Sequence, residues 1–365
     1  MTFPELVEVP GAVLMDGQVQ HFGNPLAEQR ELAEGQARAV LTDRSAIAVS
    51  GPDRLTWLDS ITSQALKGLQ PGQSTELLVL DPQGRIEHAA GVVDDGETCW
   101  LVTEAADAEG FAAWLNRMRF RMQVTVRDTA GEFVVIGGAP EALADLDAIA
   151  LWHDPWPQIA PGAVGYATAD PHPGENRRWA EAMIPVAALA DVCATNTDTP
   201  ALAGVIAVDA LRVAAWRPRL RAEADQKALP HESDWLRTAV HMNKGCYRGQ
   251  ETVAKVHNLG HPPRRLVALQ LDGSDSVLPS PGATVHAGDA GVGDSGVGVV
   301  TSVALHYQDG PIALAYLRRS TRTDAALTVD TEDGPIAAAQ QIIVPPDAGA
   351  TANIPRIPRL GRRPR

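Results

Sequence analysis

This 365-residue chain reads as an α+β protein that closes in a small C-terminal β-barrel. Strand-type and helix-type segments mix through its first part without the strict β-α-β rhythm of a parallel sheet. Short strands separated by turns then recur from Leu266 onward, as in a small all-β barrel. The length, with 45% hydrophobic and 21% charged residues, suits two or three domains, and the 27 prolines and 32 glycines imply many turns rather than long helical repeats.

In chain order, residues 1–40 read as a polar leading segment and a helix over 25–40, rich in Ala, Glu, Gln and Arg. A strand over 46–49 leads through the turn Gly51-Pro52-Asp53 into a helix with Leu55, Leu58, Ile61 and Ala65 on one face. A strand over 77–80 is closed by Asp81-Pro82-Gln83-Gly84. Strands at Val92-Val93 and 99–103 follow, then a helix presenting Phe111, Trp114, Leu115 and Met118. Two more strands fall between Met122 and Ile136. The stretch 153–173 holds five prolines and little periodicity, which suggests a peripheral subdomain or a long excursion. A helix over 205–216 restores the apolar pattern. Pro262 and Pro263 mark the boundary of the barrel, whose strands are expected at 266–271, 297–303, 312–317, 326–329 and 336–344. The resulting division is an α+β unit over 1–130 completed by 205–261, a second over 131–204, the barrel over 262–345, and a disordered tail over 346–365 with five arginines beyond Asn353.

Acids outnumber bases 45 to 31, a net charge of −14, which excludes general attraction to nucleic acid or to an anionic membrane. Direct nucleic-acid binding is therefore not expected, and the basic tail reads as a solvated terminus. Cys99, Cys193 and Cys246 are too few and too scattered for a disulfide framework or a closed metal site, so no permanently bound metal is expected. Residues 1–11 lack a signal-peptide core and no apolar run approaches membrane-spanning length. The cytoplasm is the expected compartment.

The chemistry concentrates in one basic stretch. Positions 212–265 carry eleven basic and five acidic residues, net +6 in a chain of −14. Inside it lies Lys244-Gly245-Cys246-Tyr247-Arg248-Gly249-Gln250-Glu251, where two glycines imply tight turns and a close backbone approach. With a helix beginning near Gly249, Glu251 falls in its first turn and Cys246 close to its N-terminal end, flanked by Lys244 and Arg248. Those conditions lower a thiol pKa and suit a nucleophile or soft ligand, although a lone cysteine is more often inert core. Gly291, Gly293 and Gly296 match G-x-G-x-x-G by spacing, but β-alternation follows, so the match reads as a turn. His231, His241, His257 and His261 lack metal-site spacing and read as structural. No serine-hydrolase elbow or phosphate loop is present.

The segment Lys244 to Glu251 resembles the K-G-C-Y-x-G-Q-E signature of the YgfZ-type folate-binding proteins, relatives of the glycine-cleavage aminomethyltransferase. Supporting matches include Val49-Ser50-Gly51-Pro52-Asp53-Arg54, Leu80-Asp81-Pro82-Gln83-Gly84-Arg85-Ile86, Leu211-Arg212, Gly298-Val299-Val300-Thr301-Ser302 and Ile312-Ala313-Leu314-Ala315-Tyr316. The resemblance implies two α+β domains and a C-terminal β-barrel, set as a ring around a folate-sized central cavity. It also implies a tetrahydrofolate species as ligand, iron-sulfur client proteins or assembly machinery as partners, and an indirect effect on tRNA modification. By the same resemblance Cys246 is the functional thiol, and Lys244, Tyr247, Arg248, Gln250, Glu251 and Arg212 are the ligand-side residues. Two departures stand out. The aminomethyltransferases have an aspartate where this chain reads Gly84-Arg85-Ile86-Glu87-His88, and a glutamate where it has Ala214 in Leu211-Arg212-Val213-Ala214-Ala215-Trp216. Methylene transfer is thereby disfavoured, and any folate needs another acceptor, for which Glu223, Asp225 and Glu232 are candidates. The expectation is an accessory factor for iron-sulfur proteins. The alternatives are a one-carbon transferase using Glu87 or His88, and an RNA- or protein-binding scaffold.

Overall fold

The computed structural model describes residues 3–194, 199–274, 277–288 and 296–352. A short helix, α1 (Pro4–Glu8), and the hairpin β1 (Val13–Met15) and β2 (Gln18–His21) lead into α2 (Pro25–Ala33). Pro25 in the first turn and Asn24 Oδ1, which accepts the Ala27 N–H at 3.2 Å, fix the start of α2. The helix expected over 25–40 stops early. Gly35 takes φ 74°, and the chain continues as β3 (Ala37–Leu41), all five residues buried. Burial in the middle of a sheet has overridden helix propensity here.

The first lobe comprises β4 (Arg44–Ser50), α3 (Arg54–Ile61), β5 (Ser74–Leu80), β6 (Ile86–Asp94), β7 (Thr98–Glu104), α4 (Ala105–Met118) and β8 (Thr125–Asp128). Its antiparallel sheet has the order β5-β6-β7-β4-β8. Trp57 and Leu58 of α3 and Phe111 and Leu115 of α4 cover one face, each burial contributing roughly 1.5–3 kcal/mol. Ala65, expected on the α3 face, lies beyond the end of that helix.

The second lobe comprises β9 (Phe133–Gly138), β10 (Ala150–His153), β11 (Ala180–Pro185), α5 (Leu189–Cys193) and β12 (Ala201–Ala203). Its sheet runs β10-β11-β9-β3-β12. The strand β3, inside the span assigned to the first unit, thus belongs to the second sheet, because its partners are β9 and β12. The two sheets face each other through Ala46, Ala48, Trp100 and Val102 on one side and Leu41, Val135, Trp152 and Trp179 on the other. Gly91 makes room for this: a Cβ there would stand 2.5 Å from the Trp152 indole.

The proline-rich excursion between β10 and β11 is not peripheral. Trp156 within it is fully buried and donates to the Ala215 carbonyl at 2.8 Å, and Tyr166 enters the largest core. Low periodicity marked its irregular backbone but not its position, which large side chains decide. After it come α6 (Val205–Ala214), α7 (Leu220–Glu223), α8 (Leu236–Ala239) and α9 (Gln250–Leu259).

The barrel is closed, in the order β13-β16-β15-β14-β17-β18. Its strands are β13 (Arg264–Leu271), β14 (Thr284–Ala287), β15 (Gly298–His306), β16 (Gly310–Arg318), β17 (Leu327–Val329) and β18 (Ile336–Ile342). The short β14 was not among the expected strands. Gly296, at φ 66°, turns into β15 as expected, while Gly291 and Gly293 lie outside the described residues. Residues 346–352, expected in the disordered tail, instead pack on α9, with the Thr351 and Ala352 N–H groups donating to His257 and Asn258 carbonyls at 3.1 Å. The arginine-rich stretch 353–365 lies outside the described residues. The α+β architecture with a closed C-terminal barrel is the expected fold class.

Candidate functional site

A central cavity of about 90 Å³ opens between the two sheets, α6 and the segment 217–220. Three tryptophans, Trp152, Trp179 and Trp235, line it, together with Ala89, Ala90 and Gly91 of β6. The rest of the wall is ionic: Asp43, Glu76, Glu104, Asp154, Glu181 and Asp209 stand among Arg44, Arg177, Arg212, Arg217 and Arg219. Among the described residues the barrel lends none to this wall and reaches it through α6, where Arg212 Nη2 donates to Ser302 Oγ of β15 at 2.8 Å.

The charges are paired. Arg217 Nη2 meets Glu76 Oε1 at 2.5 Å and its Nε lies 3.3 Å from Asp154, while Thr238 Oγ1 donates to Glu76 Oε2 at 2.7 Å. Arg44 holds Glu181 at 3.0 Å, and Arg219 bridges Asp43 at 2.7 Å and Glu104 at 3.1 Å. Burial alone would raise the Asp154 carboxyl, but Arg217 and Arg177 overcome that and hold it below its ordinary value. Asp209 is likewise lowered against its burial, by Arg212 and Arg219. Removing Arg217 would leave the buried Glu76 and Asp154 carboxylates short of a countercharge. Two donors in the wall have no acceptor among the described residues, Arg217 Nη1 and Trp235 Nε1.

The signature segment lies elsewhere. Gly249 at φ 85° starts α9, with Glu251 in the first turn as expected. A Cβ at Gly249 would stand 2.6 Å from the Asp81 carbonyl, and one at Gly84 would stand 3.0 Å from Thr252 Cβ. The two motifs noted separately in the sequence therefore pack against each other through these glycines. Lys244 Nζ is inserted at the end of α3, donating to the carbonyls of Thr62 at 2.8 Å and Gln64 at 2.7 Å and also to that of Asp59. Burial draws its ammonium down to about 8, against the opposing pull of Asp59. Tyr247 is buried under Lys244, its ring centroid 5.3 Å from Nζ, and burial raises its hydroxyl. Arg248 pairs with Glu87 at 2.5 Å, and Gln250 Nε2 donates to the Lys244 carbonyl at 3.3 Å. Cys246 is exposed, whereas Cys99 is fully buried and Cys193 partly so, and burial raises both of those thiols.

Of the ligand-side residues expected from the sequence, only Arg212 lines the cavity. Lys244, Tyr247, Arg248, Gln250 and Glu251 form the frame around Cys246. The substitute acceptors are engaged elsewhere: Glu223 with Arg212, Thr301 and Ser302, and Asp225 and Glu232 with Arg264. None of the three lines the cavity. Glu87 faces Arg248, and His88 bonds Asp107 at 2.8 Å and stacks on Phe111, so neither enters the cavity. Sequence reasoning missed Glu76, Glu104, Asp154, Glu181 and the tryptophans, which are spread over four strands and two loops. The available signal was Arg217-Pro218-Arg219 directly after α6, inside the basic stretch. Among the described residues no group of three or more His, Cys, Asp or Glu could hold a metal ion, and no helix is long and apolar enough to cross a membrane.

No protein-family model matches the chain. An aminomethyltransferase of Rippkaea orientalis is 28% identical over 296 residues, 75% of this chain and 76% of that protein. A mitochondrial iron-sulfur cluster assembly factor IBA57 homolog of Mycosarcoma maydis is 25% identical over 253 residues, 64% of this chain and 57% of that protein. A chloroplastic protein of Arabidopsis thaliana is 24% identical over 287 residues, 75% of this chain. The match spans 64% of the Arabidopsis protein, so in two of these three relatives less than two thirds of the length is covered. The crystal structure of the glycine cleavage system aminomethyltransferase T from Bartonella henselae superposes with a TM-score of 0.71 at 20% identity, over 93% of this chain and 96% of that one. The chain therefore has an aminomethyltransferase-like fold. With the Lys244–Glu251 signature in place on that fold, the chain is similar to the YgfZ-type proteins.

Proposed function

We propose that this chain is a folate-binding accessory factor in the assembly or repair of iron-sulfur proteins, with Cys246 as its functional thiol. The observation that carries the reading is the exposed Cys246, set in a segment whose other members are anchored by Lys244, Tyr247 and the Arg248–Glu87 pair. The anchoring holds the thiol outward, where a client protein can reach it. Lys244 and Arg248 act by fixing that segment, since both side chains are already committed to other partners. The similarity to an aminomethyltransferase and to an iron-sulfur cluster assembly factor supports the same reading. Its setting is the cytoplasm, its clients include iron-sulfur enzymes, and any effect on tRNA modification passes through them.

What supports tetrahydrofolate in the cavity is its indole walls, on which a flat ring stacks, and a carboxylate, Glu76, whose oxygens each hold a single hydrogen bond. Bound there, it would supply one-carbon carrier chemistry. Arg212 would position the wall between α6 and the barrel, and the paired arginines would keep the acids ionised. Glu87 and His88 both stand outside the cavity, so neither is placed to act on a ligand bound there.

The test pairs two measurements. Cys246→Ala, an exposed change, is expected to shift stability by no more than about 0.5 kcal/mol and to abolish complementation of an iron-sulfur enzyme defect. Full rescue by the alanine variant would remove the thiol from the mechanism. Anaerobic titration with tetrahydrofolate, followed by tryptophan fluorescence and calorimetry, is expected to show saturable binding, and its absence would remove the folate.

A further inference from the structure

One end of the barrel holds a buried cation without a countercharge. Val267, Leu269 and Leu271 of β13 face the barrel interior, and Arg265 continues that side, opposite Leu317 of β16. Arg265 is fully buried, and its Nη2 donates to the Thr321 carbonyl at 3.1 Å and to Gln340 Oε1 at 2.9 Å. Among the described residues its Nε and Nη1 have no acceptor, and no nearby acid opposes the lowering of its pKa by burial. An unneutralised guanidinium is costly inside a protein, and this chain has a net charge of −14 from which an acid could have been placed beside it.

Arg265 and Gln340 also orient the turn that closes this end. The Thr321 carbonyl points inward to Arg265, and the Arg322 carbonyl accepts Gln340 Nε2 at 2.9 Å. Both following peptides are trans, so the N–H groups of Arg322 and Thr323 point the opposite way, out of the barrel. Neither N–H has an acceptor among the described residues. An open cleft is lined by residues 319–324 and Pro346 but by neither Arg265 nor Gln340, which places it on the outer side of the turn, where these N–H groups point. The hydroxyls of Ser320, Thr321 and Thr323 in its lining hold no partner among the described residues. Arg319 places Nη1 on the Pro346 carbonyl at 3.2 Å and keeps its other donors, while Asp324 is neutralised by Arg322 at 2.6 Å.

We propose that this cleft binds a phosphate group, with the Arg322 and Thr323 N–H groups and the hydroxyls as donors, Arg319 as charged partner, and Arg265 as fixed positive charge beneath the turn. Successive N–H groups aimed the same way form an anion-binding concavity, and hydroxyls and a guanidinium around them complete it. The donors outnumber what the two oxygens of a carboxylate can accept, whereas a phosphate presents at least three oxygens. The lining is a single turn and one proline, which suits one group of a small ligand rather than a polymer. The cleft shares no residue with the wall of the central cavity, so phosphate binding here does not depend on the folate reading.

Inorganic phosphate and glycerol 3-phosphate, titrated separately into the full chain by calorimetry at constant ionic strength, supply the test. One saturable site is expected. Tighter binding of the ester would identify phosphomonoesters as the ligands, and tighter binding of inorganic phosphate would identify the free ion. Arg319→Gln, an exposed change, should weaken the site at least about fivefold, as loss of a charged hydrogen-bond donor does. Arg265→Met should weaken it by at least about threefold while leaving the ligand-free melting temperature unchanged or higher, because it removes a buried charge that nothing compensates. No saturable site for either probe would overturn the proposal, as would a native affinity in Arg319→Gln, which decides the matter should Arg265→Met disturb the turn. A lower ligand-free melting temperature in Arg265→Met with phosphate affinity intact would also overturn the role of Arg265, since that is the behaviour of a guanidinium that only holds the turn.

Discussion

His231 shows how a single buried group ties this fold to pH. The ring is fully buried in the turn before α8, its Nε2 lies 3.1 Å from the Val253 carbonyl of α9, and its Nδ1 has no partner among the described residues. Nε2 must therefore carry the proton, and a second proton on Nδ1 would have no acceptor. Burial lowers the ring to about 4, and the same cause takes the less buried His172 to about 4. A histidine whose folded value lies below its unfolded one contributes stability that is intact above about pH 6.5 and is lost as pH falls toward 4. Asp234 works the other way, since burial raises it to about 6 and its protonation in the folded state adds stability on acidification below that value. The two effects overlap in the whole protein, so the useful quantity is a difference. His231→Gln should gain up to about 3 kcal/mol relative to the native chain between pH 7 and pH 4, as urea midpoints measured across that range would show. A constant offset between the two proteins would mean that His231 does not titrate with unfolding.

The signature segment makes a sharp contrast between two glycines that look alike in sequence. Gly249 sits at φ 85° with the Asp81 carbonyl 2.6 Å from where a Cβ would go, whereas a Cβ at Gly245 would meet nothing within 4 Å. Gly249→Ala should cost about 2–4 kcal/mol, combining left-handed strain with a clash against backbone that cannot yield, and Gly245→Ala no more than about 0.5 kcal/mol. Urea denaturation of the two variants checks this, and equal losses would contradict the packing of α9 on the Asp81–Gly84 turn. Elements of this kind were legible because their signals are local. Gly249 followed by Gln250 and Glu251 marked the start of α9, and short apolar runs bounded by turns, at 77–80 and 312–317, marked strands. Ala37–Leu41 was not legible: its composition favours a helix, and only its position between β9 and β12 makes it a strand. For the same reason Trp156 could not be placed, because its burial depends on the Ala215 carbonyl far along the chain.

The cavity was out of reach of sequence reasoning because its wall is assembled from both sheets, α6 and the loop after it, so no window of sequence contains it. What joins those parts also joins the barrel to them. One core holds Leu80 and Ile86 of the first lobe, Tyr166 of the excursion, Trp216 and Trp235, Val253 of α9, and Leu266, Leu314 and Tyr316 of the barrel. The ion network crosses the same boundary where Arg212 meets both Glu223 and Ser302. A barrel that unfolded alone would expose one side of that core and leave Arg212 short of a buried partner, so its separate unfolding is disfavoured by the hydrophobic and the electrostatic terms together. The three parts should therefore unfold in one step. All eight tryptophans precede the barrel, whereas far-UV circular dichroism also reports its strands. The two signals followed through one urea titration should give coincident transitions. A circular-dichroism change that continued after the tryptophan signal had levelled off would show a barrel standing by itself and would overturn the shared core as the unit of stability.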